Sequence, residues 1–156
     1  SGMIITHFES ALAACVVLTS FITMLSGTGG ISGSQSSVAV IRALSLDEID
    51  FSDLVAVVWK EIRVAVLCGV CLAAANFVKM MVVDRWLMHN PEVTPLVCLT
   101  LVFTVLCAKV VGCTLPMAAE KLGIDPAVMA SPFITTIVDA LSLLIYFFFA
   151  TWILPL

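Results

Sequence analysis

A polar stripe runs along the last apolar segment of the chain, with one carboxylate at its middle. It consists of hydroxyl side chains and one acid spaced 4, 4, 3 and 4 residues apart: Ser131, Thr135, Asp139, Ser142 and Tyr146. At about 100° per residue these positions fall within an arc of roughly 80° on a helix. An ionisable residue at membrane depth costs at least about 2.5–3.5 kcal/mol, so Asp139 is a candidate functional residue.

A hydroxyl-lined path with one carboxylate suits a hard cation that keeps most of its water. Mg²⁺ dehydrates reluctantly and usually retains several waters beside one or two carboxylates. Zn²⁺ or Cu⁺ would call for His or Cys clusters, and potassium filters use rings of backbone carbonyls. One Asp139 per chain provides few ligands for a divalent ion, so a symmetric homodimer is expected. An ion between two such carboxylates would be structural as well as transported.

Lys109 offers a different interpretation, because it lies in the middle of the third apolar segment. It could pair with Asp139 and lock the helices together. The stripe argues against a lock, since a lock needs one partner and not a row of hydroxyls. A coupled carrier or exporter of Mn²⁺ or Co²⁺, in which Lys109 and Asp139 exchange partners, is a second transport hypothesis.

Glycines are concentrated after the first apolar segment, in "GTGGISGSQSS", which contains Gly27, Gly29, Gly30 and Gly33. Glycine weakens a helix, and irregular backbone at membrane depth is tolerated only when it is buried in protein or lines water. The pattern therefore predicts a broken, cavity-lining segment after the first helix. A flexible loop is the alternative.

The elements that position these residues are predicted to be transmembrane helices. Hydrophobic residues make up 62% of the chain and charged residues 12%, against roughly 45–50% and 25% in soluble domains. Four windows are long enough to span a bilayer, at about 8–26, 54–78, 94–115 and 132–154. Continuous apolar windows exclude barrel strands, which would alternate in polarity. We expect an all-α transmembrane helical bundle in one domain, residues 3–156, after a tag remnant at residues 1–2.

Charge gives a weak indication of topology and excludes other classes. Four basic residues fall on one side of the predicted helices and two on the other: Arg42, Lys60, Arg63 and Lys121 against Lys79 and Arg85. The positive-inside rule then places the first and third connections in the cytosol. With four helices this would put the N-terminus outside the cell, so we expect a further helix upstream.

The net charge of −4 gives no basic patch for nucleic acid. No nucleophile–base pair suggests an enzyme, and a non-conducting membrane scaffold subunit is the alternative from another class.

Several motifs resemble the transmembrane domain of the MgtE family of magnesium channels. They are "GTGGISGSQSS" with "IRAL", then "KEIRVAVLCG", then "VVGCTLPMAAEKLGIDPAVMASPFITTIVDALSLLIYF". The resemblance extends from Phe8 to the end of the chain. It departs from the family at Ile31, where Asn is typical, and at Thr23, where proline is frequent.

The resemblance implies a homodimer of five-helix protomers in the inner (plasma) membrane, with the pore on the dimer axis. The family's first helix, its cytosolic N-domain and its CBS modules have no counterpart in this sequence. In the family, the aspartate matching Asp139 binds hydrated Mg²⁺, and the residues matching Ser131 and Thr135 line the same site. The stretch matching Gly27 to Gln35 lines the pore, and the aspartate matching Asp125 faces the cytosol. We therefore expect a Mg²⁺ channel or transporter in which Ser142, another member of the polar stripe, also lines the pore.

Overall fold

Four helices form the protein in the computed structural model, which describes residues 17–84, 93–129 and 131–153. They are α1 (Val17–Ser45), α2 (Leu54–Lys79), α3 (Val93–Lys121) and α4 (Ser131–Ile153). A π-helical turn, Met80–Asp84, extends α2, and short 3₁₀ turns, Phe51–Asp53 and Pro126–Met129, precede α2 and α4. Within the described ranges there is no strand, which confirms the predicted all-α fold.

The structure corrects one part of that expectation, the break after the first helix. The helix α1 runs without interruption from Val17 to Ser45, through the whole glycine-rich stretch. Each glycine costs a helix roughly 0.5–1 kcal/mol relative to alanine. Here the small residues let other helices approach closely, and this packing compensates for their poor helix propensity. Residues 8–16 of the first predicted window lie outside the described part.

The helix α3 is the centre of the bundle, since it packs against α1, α2 and α4. Its buried residues face all three neighbours, whereas α2 packs mainly on α3 and exposes large apolar side chains such as Val55, Leu67 and Val82. Among the residues that the structure describes, three segments are long and apolar enough to cross a membrane: Phe51–Val82, Val93–Lys121 and Pro132–Ile153. These helices support the predicted multi-pass membrane protein.

The helices α1 and α3 approach each other closely where two glycines, Gly33 and Gly112, face each other. A Cβ added to Gly112 would collide with the backbone carbonyl of Gly33. A Cβ on Gly33 would in turn lie 3.0 Å from the carbonyl oxygen of Ala108 and 3.0 Å from Ile134 Cγ2. This contact requires that both positions lack a side chain, so it fixes where α1 crosses α3.

Alanine at position 112 tests this crossing. Because the neighbouring atom is backbone and cannot turn aside, we expect Gly112→Ala to cost about 1–3 kcal/mol through overpacking. The thermal unfolding temperature in detergent should fall by roughly 3–10 °C. Gly27→Ala is the matched control, because nothing lies within 4 Å of a Cβ at Gly27. Equal melting temperatures for the two variants would contradict the proposed contact.

Candidate functional site

Asp139 lies in the first half of α4, partly buried, and α1 provides its hydrogen-bond partner. Ser26 Oγ donates to Asp139 Oδ1 at 2.6 Å. One turn further along α1, a Cβ built on Gly30 would lie 3.7 Å from the same carboxylate oxygen and 3.3 Å from Thr135 Cγ2. The hydroxyl of Ser26 and the backbone at Gly30 thus meet the carboxylate from α1.

A groove of about 560 Å³ runs along the outer side of α1, and its lining includes Gly30 and Thr135, the two neighbours of Asp139 described above. We call it the α1 groove; it is lined by Gly30, Ile31, Ser34, Gln35, Val38, Ala39, Arg42 and Thr135. Thr135 is one turn before Asp139, and its Oγ1 donates to the Pro132 carbonyl at 3.0 Å. The groove therefore connects the position of Asp139 with the end of α1 that carries Arg42.

The other members of the polar stripe have different surroundings. Ser142 is buried, and its Oγ donates to the Val138 carbonyl at 2.7 Å. Tyr146 is fully buried in the largest apolar cluster, together with Phe21 and Leu25 of α1. Ser131 is the first residue of α4, and its side chain is outside the described part of the structure. Of the stripe, the structure brings Thr135 and Asp139 together beside the groove.

The glycine-rich stretch likewise divides between two faces of α1. Gly29 is buried, and a Cβ there would come within 3.0 Å of Thr104, Val138 and Ser142 side-chain atoms. Gly33 contacts α3 at the crossing described above. Gly27 faces open space, Gly30 lies beside Asp139, and Gln35 is exposed in the α1 groove. The predicted pore-lining set thus includes two glycines that seat α1 on its neighbours.

Asp125 is exposed just before the turn that leads into α4. Its Oδ1 accepts a hydrogen bond from the backbone N–H of Ala127 at 2.9 Å, which caps the turn Pro126–Met129. Eight residues separate Ser131 from Asp139, a rise of about 12 Å along the helix. Asp125 therefore lies near one end of the bundle, whereas Asp139 lies well inside it.

Lys109 has a partner that the sequence did not reveal. Its Nζ lies 3.5 Å from Glu61 Oε2 on α2 and donates to Ser36 Oγ at 3.2 Å. Ser36 Oγ donates in turn to Glu61 Oε2 at 2.5 Å. The alternative of a lock between Lys109 and Asp139, against which the polar stripe argued, is not found in the structure, because Lys109 pairs with Glu61.

A signal for Glu61 was present in the sequence. Glu61, Ala65, Gly69 and Asn76 are spaced 4, 4 and 7 residues apart, and all four are buried in α2. Small residues at helical spacing mark the face of a transmembrane helix that packs against another helix. Glu61 lies on that buried face. Because Lys60 and Arg63 beside it are charged, the sequence had suggested a solvent-exposed connection here.

The donor set around Asp139 is one carboxylate with hydroxyl groups, all of them hard oxygen atoms. Within residues 17–84, 93–129 and 131–153 there is no group of three or more His, Cys, Asp or Glu that could hold a metal ion. A single carboxylate with nearby hydroxyls can accept hydrogen bonds from, and donate them to, water molecules around a cation. This arrangement suits an ion that keeps its hydration shell.

Known proteins with similar sequences have a consistent description. The family pattern MgtE, described as "Divalent cation transporter", matches residues 22–149. The "Magnesium transporter MgtE" of Bacillus subtilis is 38% identical over 152 residues, 97% of this chain and 33% of the relative. The proteins of the same name from Thermus thermophilus and Enterococcus faecalis are 37% and 31% identical, each over 94% of this chain and about a third of their own length.

The chain thus spans about a third of the length of the curated relatives that it matches. The family match includes most of α1, all of α2 and α3, and α4 as far as residue 149, with both Asp139 and its partner Ser26. The match covers far more than half of the chain. The chain therefore belongs to the MgtE family, which is a family of divalent cation transporters and not of enzymes.

Proposed function

We propose that this chain forms the membrane-spanning, ion-conducting part of a magnesium transporter, with hydrated Mg²⁺ binding at Asp139. The observation that carries the proposal is a partly buried carboxylate whose intramolecular partner is a hydroxyl, next to Gly30 and Thr135, which line an open groove. The three relatives named as magnesium transporters support Mg²⁺ as the substrate. The apolar helices support a multi-pass setting, which we take to be the inner (plasma) membrane.

The exposed face of α1 supports a homodimer. It presents large apolar side chains, with Ile31 63% and Val38 60% exposed, alongside Gln35 and the charged Arg42. Such a mixed face suits neither lipid nor bulk water well. A second copy of the chain would cover it and would bring two Asp139 carboxylates to a shared axis.

At the proposed site the protein would contact the ion through the water molecules that surround it. Two carboxylates would compensate the charge of Mg²⁺ while its water ligands donate hydrogen bonds to their oxygens. Ser131 and Thr135 would hold further waters of the shell, and Gly27, Gly30 and Gln35 would line the path. Gly29, Gly33 and Ser142 would act behind this surface by setting the position of α1. Binding through waters is weak enough for the ion to leave, as conduction requires.

The carrier hypothesis receives less support than the channel hypothesis. Exchange of partners between Lys109 and Asp139 would require a lysine that is available to the carboxylate. In the structure Lys109 pairs with Glu61 and Ser36 instead. The positive charge is therefore compensated and does not oppose a cation at Asp139.

Asparagine at position 139 tests the site. In liposomes that contain the purified protein, Asp139→Asn should reduce Mg²⁺ flux at least about tenfold, because the negative charge that attracts the hydrated cation is lost. Mg²⁺ should also raise the melting temperature of the wild type and not of the variant, since an ion bound only to the folded state stabilises it. Glu48→Gln removes one negative charge from an exposed position and is the control. Wild-type flux in Asp139→Asn would reject the site.

Alanine at position 26 tests the role of the hydrogen bond to Asp139. Hydrogen bonds to charged groups contribute about 1.5–3 kcal/mol, and part of this is lost when water replaces the hydroxyl. We expect Ser26→Ala to raise the half-saturating Mg²⁺ concentration about 3- to 10-fold with little change in maximal flux, and Ser26→Thr to restore it. Ser45→Ala is the control, because that exposed hydroxyl bonds only the Ile41 carbonyl at the end of α1. An unchanged half-saturating concentration in Ser26→Ala would contradict the assignment.

A further inference from the structure

A buried polar cluster joins α1, α2 and α3 on the side of α1 that faces away from the α1 groove. It consists of Ser36, Glu61 and Lys109, one residue from each helix, and all three are buried. Glu61 Oε2 accepts a hydrogen bond from Ser36 Oγ and lies 3.5 Å from Lys109 Nζ. The lysine also donates to Ser36 Oγ at 3.2 Å. The hydroxyl of Ser36 is thus an acceptor and a donor between two opposite charges.

A gain in the free energy of unfolding does not by itself explain the buried Glu61–Lys109 pair. The cost of removing two charges from water offsets much of their attraction, and apolar replacements of buried pairs are often as stable as the original. A charged pair differs from apolar packing in that its hydrogen bonds are directional. The cluster therefore restricts how α1 is rotated and placed relative to α2 and α3.

The position of Ser36 in α1 shows what that restriction affects. Ser36 follows Gln35, which is exposed in the α1 groove, and comes one turn after Gly33 at the crossing with α3. The glycine contact alone has no side chain that would resist rotation of α1 about its axis. Ser36 is buried and Gln35 is exposed, about 100° apart around one rigid helix, so fixing the direction of the first fixes the direction of the second.

We propose that Ser36 is a positioning residue, which couples the buried Glu61–Lys109 pair to α1 and so holds the groove-facing side of α1 in register with Asp139. Its test by ion flux rests on the proposed function, since that test requires that the chain carries Mg²⁺. The inference gives Glu61 and Lys109 the role of positioning α1, and neither residue binds the ion. It also gives α2 an influence on α1, although α2 packs mainly on α3.

The chain provides a matched pair of variants for this proposal. Ser36→Ala removes the link to α1 and leaves Glu61 and Lys109 in place. Ser37→Ala removes the neighbouring hydroxyl, which is also fully buried and has no hydrogen-bond partner in the described part of the chain. Both changes delete one buried oxygen atom from adjacent positions of the same helix. They differ in whether that oxygen connects α1 to a charged pair.

The expected results differ for the two variants. Ser36→Ala should lower Mg²⁺ flux into liposomes about tenfold, the size of a lost hydrogen bond to a charged group. Ser37→Ala should conduct like the wild type. In hydrogen–deuterium exchange of the purified protein without Mg²⁺, amides of residues 30–39 should exchange faster in Ser36→Ala and not in Ser37→Ala. Wild-type flux and exchange in Ser36→Ala would overturn the proposal.

A double variant separates positioning from folding. Glu61→Met with Lys109→Met keeps the side chains long and apolar, so we expect melting close to that of the wild type but the same flux loss as in Ser36→Ala. Normal flux in a stable double variant would overturn the proposal, even if Ser36→Ala alone failed to fold. If the wild type itself carried no Mg²⁺, the proposed function would fail. The exchange measurement would still decide whether Ser36 orders α1.

Discussion

The close approach of α1 to α3 and α4 is the constraint on which the rest of the structure depends. It is possible because Gly29 and Gly33 present backbone where other residues would present a side chain. Without it, the short side chain of Ser26 could not reach Asp139 on α4, and Ser36 could not reach Lys109 on α3. The glycines are therefore structural in α1, and the polar contacts around the candidate site follow from the short distance that they allow.

Two carboxylates lie inside this bundle, and their partners distinguish their roles. Glu61 is paired with Lys109 and receives a hydrogen bond from Ser36, so its charge is compensated within the chain. Asp139 receives a hydrogen bond from Ser26, a neutral donor. At membrane depth an uncompensated carboxylate is costly, and a cation from outside the protein relieves that cost. The same physical rule is why we propose that Glu61 belongs to the framework and that Asp139 binds the ion.

The sequence predicted the helices, because apolar length is a property of a single segment. It also singled out Asp139 as the one charge inside its apolar segment, and the role of that residue stays a prediction. It did not predict the unbroken α1, since helix propensity is local whereas the gain from close packing depends on α3 and α4. Thr135, which lines the groove, and the buried Ser142 lie only about 20° apart around the helix but two turns apart along it, so helical periodicity could not separate them. The partner of Lys109 depended on which helices are neighbours, and charge alone did not distinguish Glu61 from Asp139.

The two sides of α1 cannot vary independently. Gly33 and Ser36 fit the interior, while Ile31 and Gln35 face the α1 groove, and these residues alternate within two turns of one rigid helix. A change on the inner side rotates or displaces the outer side by the same angle or distance. Because a hydrated ion is recognised through water, a shift of about 1 Å changes which hydrogen bonds its shell can make. Under the proposed function, ion selection at Asp139 would therefore depend on residues that do not contact the ion, above all on the buried Glu61–Lys109 pair behind Ser36.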